Sequence, residues 1–199
     1  LSIVLTAVIT FSFLLLPIIV IKGFGGSFPI KGFLKYTARI FPFSWLSSSE
    51  IAAVPVSLKW SRKHLEVEKI SSGIVIPIVG ILQSTEIALT LPVYGILAAF
   101  AVGVEVPLLT LLIYSCTIFI IFDFVVVGIP SEVALLAVPL SQILPIPEAQ
   151  VPAFIAIVVA LQAGIPDSFR TAGNVAFGGL YSVLMEKIYR RLSVVDNGA

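Results

Sequence analysis

The sequence predicts an all-α membrane protein built as an inverted repeat, in which a re-entrant helical hairpin followed by a broken transmembrane helix occurs twice. Three observations predict it. Hydrophobic residues make up 58% of the 199 and charged residues only 12%, with a mean hydropathy of +1.11; a soluble domain carries about twice that charged fraction. The basic residues fall in three clusters, Lys22 to Arg39, Lys59 to Lys69 and Lys187 to Arg191, separated by long apolar stretches. Those stretches are interrupted by Pro, Gly and Ser at spacings too short for a simple series of full crossings.

Residues 1–22, within LSIVLTAVITFSFLLLPIIVIKG, form the first transmembrane helix. The run is long enough to span, and no basic residue precedes it as a signal peptide requires. Met185 is the only methionine, so the chain is expected to be part of a longer protein. The positive-inside rule puts all three basic clusters on the cytoplasmic side. The glycine-rich KGFGGSFPIKG, Lys22 to Gly32, lacks the spacing of a phosphate loop and reads as a connector.

Residues 27–62 form re-entrant hairpin 1. Only nineteen residues lie between Arg39 and Lys59, broken by Pro42, the serines and Pro55. Two crossings need roughly twice that length, so the chain turns back at Ser47-Ser48-Ser49. Phe and Trp residues at 41–45 and Trp60 read as interfacial anchors.

Residues 68–101 form a transmembrane helix broken at Gln83-Ser84-Thr85-Glu86. Residues 106–147 then enter and leave from the outer side as hairpin 2, with Gly128-Ile129-Pro130-Ser131 at its tip. Two further crossings would preserve the same topology; the shortness of Val133 to Leu144 favours the hairpin. Residues 151–191 form the last transmembrane helix and return the C-terminus to the cytoplasm. In such repeats the binding site lies at the midplane, and non-helical backbone at that depth is tolerated only inside protein or around a watery cavity.

Within the last helix stands PDSFRTAGN, residues 166–174, whose Arg170 is the only basic residue between Lys69 and Lys187. At about 100° per residue, Asp167, Arg170, Thr171, Asn174 and Gly178 share one helix face. Asp167 and Arg170 can neutralise each other at i,i+3. The functional reading is that an intramembrane charge marks a ligand site. There Arg170 offers a planar fork to a carboxylate, Asp167 holds an ammonium, and Thr171 and Asn174 bond a second carboxylate. A small molecule with two carboxylates and one amine matches that face.

Other chemistries find no support. The net charge of +1 gives no reason to expect a nucleic-acid partner, Cys116 is the lone cysteine, and His64 reads as a solvated loop residue. No metal-ligand spacing occurs and no serine has a nearby histidine, so neither a catalytic residue nor a cofactor is expected. Glu50 and Glu132 are gate residues or solvated, with nothing to choose between the two. Asp123 and Glu105 are expected to face a vestibule or headgroups.

SSSEIAAVPVSLK, ISSGIVIPIVG, GIPSEVALL and DSFRTAGNVAFGG, in this order, resemble the C-terminal half of the dicarboxylate/amino acid:cation symporters, the glutamate transporter family. The resemblance covers essentially the whole chain. It implies a single transport-domain fragment, residues 1–199, that binds acidic amino acids or dicarboxylates such as aspartate and glutamate. It also implies a homotrimeric scaffold formed by an N-terminal half that this sequence does not include. Residue by residue, it assigns substrate binding to Ser47, Ser48 and Ser49, to the amino-group ligand Asp167, to Arg170, Thr171 and Asn174, and to Ile129 in the second tip.

The departures concern the coupling ion. The family's N-M-D-G-T signature aligns with Gln83-Ser84-Thr85-Glu86-Ile87, so Thr85 replaces a sodium-binding aspartate. Gly178 replaces a second one, four residues after Asn174. The cation-coupling candidates are therefore Gln83, Thr85, Glu86 and Asn174, with Na+ or H+ as the coupling ion and Glu86 able to carry a proton. The function expected is secondary active symport by alternating access in the plasma or bacterial inner membrane, with sodium coupling in doubt. The alternative is a degenerate, non-transporting homologue kept as a membrane structural or regulatory subunit.

Overall fold

The computed structural model describes residues 2–23, 27–82, 85–125 and 133–196, and the regular structure in them is helical throughout. The helices are α1 Ser2–Gly23, α2 Ile30–Ser47, α3 Glu50–His64, α4 Lys69–Leu82, α5 Thr85–Ala101, α6 Leu108–Val125, α7 Val133–Ile143, α8 Val151–Gln162 and α9 Ile165–Asp196. A 3-10 turn, Glu148–Gln150, leads into α8.

Several helices carry a proline in their interior: Pro42 in α2, Pro55 in α3, Pro77 in α4, Pro92 in α5 and Pro139 in α7. This corrects the expectation that Pro42 and Pro55 help break hairpin 1. Each proline removes one backbone bond. Ending the helix in an apolar medium would strand several, which is the larger cost.

The break between α2 and α3 belongs to the serines alone. Ser48 takes the left-handed conformation (φ 45°, ψ 36°), and its N–H donates to the Ser44 carbonyl at 2.9 Å. Ser49 is extended and caps α3, its Oγ accepting from the Ala52 N–H at 3.3 Å. The chain reverses there, and α3 packs back along α2.

Burial follows two apolar clusters. One joins α1, α2, α3 and α9 through Leu14, Phe33, Tyr36, Ile40, Ala53, Phe177 and Leu180. The other joins α5, α6, α7 and α8 through Leu91, Ala98, Tyr114, Ile118, Leu140, Phe154 and Val158. In the first, α2 approaches α9 closely because residue 179 is glycine: a Cβ there would lie 2.2 Å from the Tyr36 ring. The Tyr36 hydroxyl is held against Ser57 Oγ and donates to the Val175 carbonyl at 3.1 Å.

The α8 and α9 axes meet at 59°. Ala163 is extended and Gly164 has φ +72°, a conformation glycine adopts without strain. The bend therefore precedes Pro166, which sits in the first turn of α9 where its missing N–H is no loss. Among the described residues no single helix is long and apolar enough to cross a membrane, whereas the bent α8–α9 pair is by length and composition.

Near its far end α9 anchors the start of α4. The Glu186 carboxylate accepts from the Glu68 N–H at 3.2 Å and the Ser71 hydroxyl at 2.6 Å, and also pairs with Arg190 at 2.7 Å. Helix α4 thus borrows its N-terminal cap from another helix.

Candidate functional site

The first turns of α9 bury their polar face. Asp167, Arg170, Thr171 and Asn174 are 6%, 1%, 4% and 1% exposed, although most of their neighbours are apolar. The shared helix face expected from residue spacing is therefore turned into protein. α2, α3 and α4 pack against α9.

Arg170 is gripped from both sides of the α8–α9 bend. Its Nη2 pairs with Asp167 Oδ1, three residues before it, and its Nη1 donates to Gln162 Oε1 on α8 at 2.7 Å. The i,i+3 ion pair weighed from the sequence thus forms. Two donors at this point have no acceptor among the described residues: Arg170 Nε and Gln162 Nε2, both buried. An unmet buried donor costs about 1–3 kcal/mol, so the arrangement has spare capacity for an acceptor such as a carboxylate.

The serine tip reaches the same place. Ser48 Oγ lies 3.0 Å from Ser168 Oγ, between Asp167 and Phe169 on α9. Ser47 and Ser49 are engaged locally, Ser47 Oγ donating to the Ser44 carbonyl at 3.3 Å and Ser49 serving as the cap. Of the three predicted serines, Ser48 is the one bonded to α9. Trp45 and Phe41 both pack edge-on against Phe169.

Glu50 corrects the option of a solvated residue. It is 4% exposed, and its Oε1 accepts from Asn174 Nδ2 at 3.0 Å, fastening the start of α3 to α9. Its sequence signal was an acid directly after a capping serine, where the helix dipole favours negative charge. Gln162 had no such signal. His64 likewise is not a loop residue: it ends α3 and stacks on Trp60.

Beside Glu50, and next to Gly178, is a cavity with about 10 Å³ of free space, at most what one water needs. Its walls include Val54, Ile76, Val79 and Val175, with Glu50 and Ser57 as the polar side chains. Gln83, Ile129 and Glu132 lie outside the described residues. Thr85 and Glu86 open α5, but their side chains, and that of Asp123, fall outside the described set.

The model of the sodium:dicarboxylate symporter family matches residues 1–188. No individual curated protein matches the chain. A match across nearly all of 199 residues, on an all-helical fold with a buried polar face in its last helix, means that this chain belongs to the sodium:dicarboxylate symporter family of membrane proteins.

Proposed function

We propose that the protein moves acidic amino acids or dicarboxylates across the membrane by alternating access. The observation that carries this reading is buried Arg170, paired on one side and with Nε and the adjacent Gln162 Nε2 still lacking acceptors among the described residues. Charges at membrane depth cost about 2.5–3.5 kcal/mol each on insertion scales, and such residues mark substrate paths. A bound substrate would place its side-chain carboxylate on Arg170 and its ammonium on Asp167, exchanging for the ion pair. Thr171 and Asn174 would bond the second carboxylate. The serine tip at 47–49 and the backbone at Ile129 would close over it from opposite sides. The contact between Ser48 and Ser168 supports the first half of that closure.

In this reading the two helix pairs, α2–α3 and α6–α7, are re-entrant hairpins entering from opposite faces. The C-terminus is cytoplasmic, and a homotrimer forms through an N-terminal scaffold. The family's description makes sodium the first coupling ion to test. Against strong sodium coupling stand Thr85 and Gly178, and the small, mainly apolar cavity beside Gly178 supports that doubt. A carboxylate among the ligands offsets the cost of stripping a cation of its water, and position 178 supplies none.

The alternative reading, a non-transporting subunit, draws on the closed Asp167–Arg170–Gln162 arrangement, which holds the bend without any ligand. Isothermal titration of the full-length protein in nanodiscs with aspartate, glutamate and succinate separates the two. Saturable binding that alanine does not reproduce is expected. Heat no greater than that of dilution for all three would favour the structural subunit.

A further inference from the structure

The open end of the α2–α3 hairpin gathers positive charge, most of it outside any ion pair among the described residues. Lys31, Lys35 and Arg39 are exposed and recur every four residues on α2; Lys59, Arg62 and Lys63 are exposed at the end of α3. Three of these cations converge on one indole. Arg39 Cζ, Lys59 Nζ and Lys63 Nζ lie 5.2, 5.4 and 5.1 Å from the Trp60 ring centroid. The His64 ring stacks on the same indole at 5.3 Å, with 2° between the planes.

None of Lys31, Lys35, Arg39, Lys59 or Lys63 is in an ion pair among the described residues. The indole attracts each cation, but the cations repel one another, so an anion among them would turn a strained cluster into a favourable one. The His64 imidazole lies beside the same cations. Its pKa lies below the usual histidine value, through desolvation first and then through Lys63, Lys35 and Arg39.

The outward surface changes character towards the tip. Phe43, Leu46 and Ile51 are 42%, 78% and 42% exposed. From Lys35 to Leu46 the helix rises only about 17 Å, so charge and exposed apolar surface adjoin along one short hairpin. An aromatic ring flanked by cations at such a boundary sits at headgroup level.

We propose that Arg39, Lys59 and Lys63, arranged around Trp60, form a binding site for the phosphate of an anionic phospholipid. Arg39 offers paired donors to phosphate oxygens, and the two lysines add point charge. The apolar surface at Phe43 and Leu46 is placed to meet the acyl chains, which favours a lipid over a soluble phosphate. The site is separate from the α9 face and does not depend on what the protein transports.

Trp45→Phe leaves Trp60 as the sole tryptophan, so quenching of its fluorescence reports on this site. The protein is placed in phosphatidylcholine nanodiscs doped with brominated phosphatidylglycerol or, at equal mole fraction, brominated phosphatidylcholine. Stronger quenching by the anionic lipid is expected. Lys59→Gln and Lys63→Gln should each weaken that preference about five-fold, the equivalent of ~1 kcal/mol per charge, while Lys59→Arg preserves it. Equal quenching by the two lipids overturns the proposal, and this comparison needs no variant of the cluster. A preference that survives the combined Arg39→Gln, Lys59→Gln and Lys63→Gln changes overturns it as well. Loss of the preference when inorganic phosphate is added at constant ionic strength would assign the site to a soluble anion instead, and the lipid assignment falls.

Discussion

Replacing Arg170 by cysteine removes two interactions at once. The side chain is 1% exposed, donates to Gln162 at 2.7 Å and pairs with Asp167, which is itself 6% exposed. Without it, Asp167 remains buried beside an unanswered Gln162 carbonyl. Breaking a buried ion pair from one side costs about 3–5 kcal/mol, so Arg170→Cys should melt well below the wild type in detergent. Adding Asp167→Asn removes the buried charge that has lost its Arg170 partner and should restore part of the loss. Binding should fail more selectively. Truncating one partner of a buried charge pair costs about 2–5 kcal/mol in affinity, roughly 30-fold to several thousand-fold for aspartate or glutamate. Serine or alanine, which need no charge partner at that point, should bind better than the acidic substrates. Calorimetric titration of both variants checks this, alongside thermal unfolding. If Arg170→Cys loses stability but keeps its aspartate and glutamate affinity, Arg170 is a structural ion-pair partner and the assignment of the α9 face to substrate is wrong.

Gly179→Ala places a Cβ about where the Tyr36 ring already lies, 2.2 Å from its edge. Because the Tyr36 hydroxyl is fixed by Ser57 and the Val175 carbonyl, overpacking should cost about 1–3 kcal/mol, read as a lowered unfolding midpoint; an unchanged midpoint would mean that α2 moves freely away from α9. Glu186→Ala removes the acceptor of the Glu68 N–H and the Ser71 hydroxyl, a loss of about 0.5–2 kcal/mol typical of a helix cap. Amide exchange at residues 68–72 should quicken, and unchanged protection there would count against the borrowed cap. Uptake into proteoliposomes by the full-length protein should persist when choline replaces sodium, and an inward proton gradient either raises it or leaves it unaltered. Steep, multi-ion sodium dependence would show that other oxygens rebuild the cation sites.

Some features of the fold can be read from composition because they answer the solvent. The Ser47–Ser49 turn and the polar face of α9 both occur where polar residues interrupt apolar sequence. Such residues must turn inward or end a helix in an apolar medium. Proline was a poorer guide. Pro42 and Pro55 look like breaks in a one-dimensional reading, yet α2 and α3 run through them, since one lost bond costs less than two new helix ends. Gln162 was hidden for a geometric reason. On an unbroken helix it would point about 80° away from Arg170; the bend at Ala163–Gly164 resets that phase and brings the amide to the guanidinium. Glu50 was hidden because its partner, Asn174, is 124 residues away. A lone carboxyl at a turn looks solvated until the opposing helix is in place.

The position of Gln162 ahead of the bend and Asp167 after it gives Arg170 a mechanical character. One nitrogen is tethered to α8, whose apolar side chains belong to one cluster, and another to α9, whose side chains belong to the other. The guanidinium spans the elbow like a strut. Opening or tightening the 59° angle must lengthen one tether or swing the fork. The aim of this cation and the relative tilt of the two packed halves therefore cannot vary independently, and an anion that captures the fork also sets the angle.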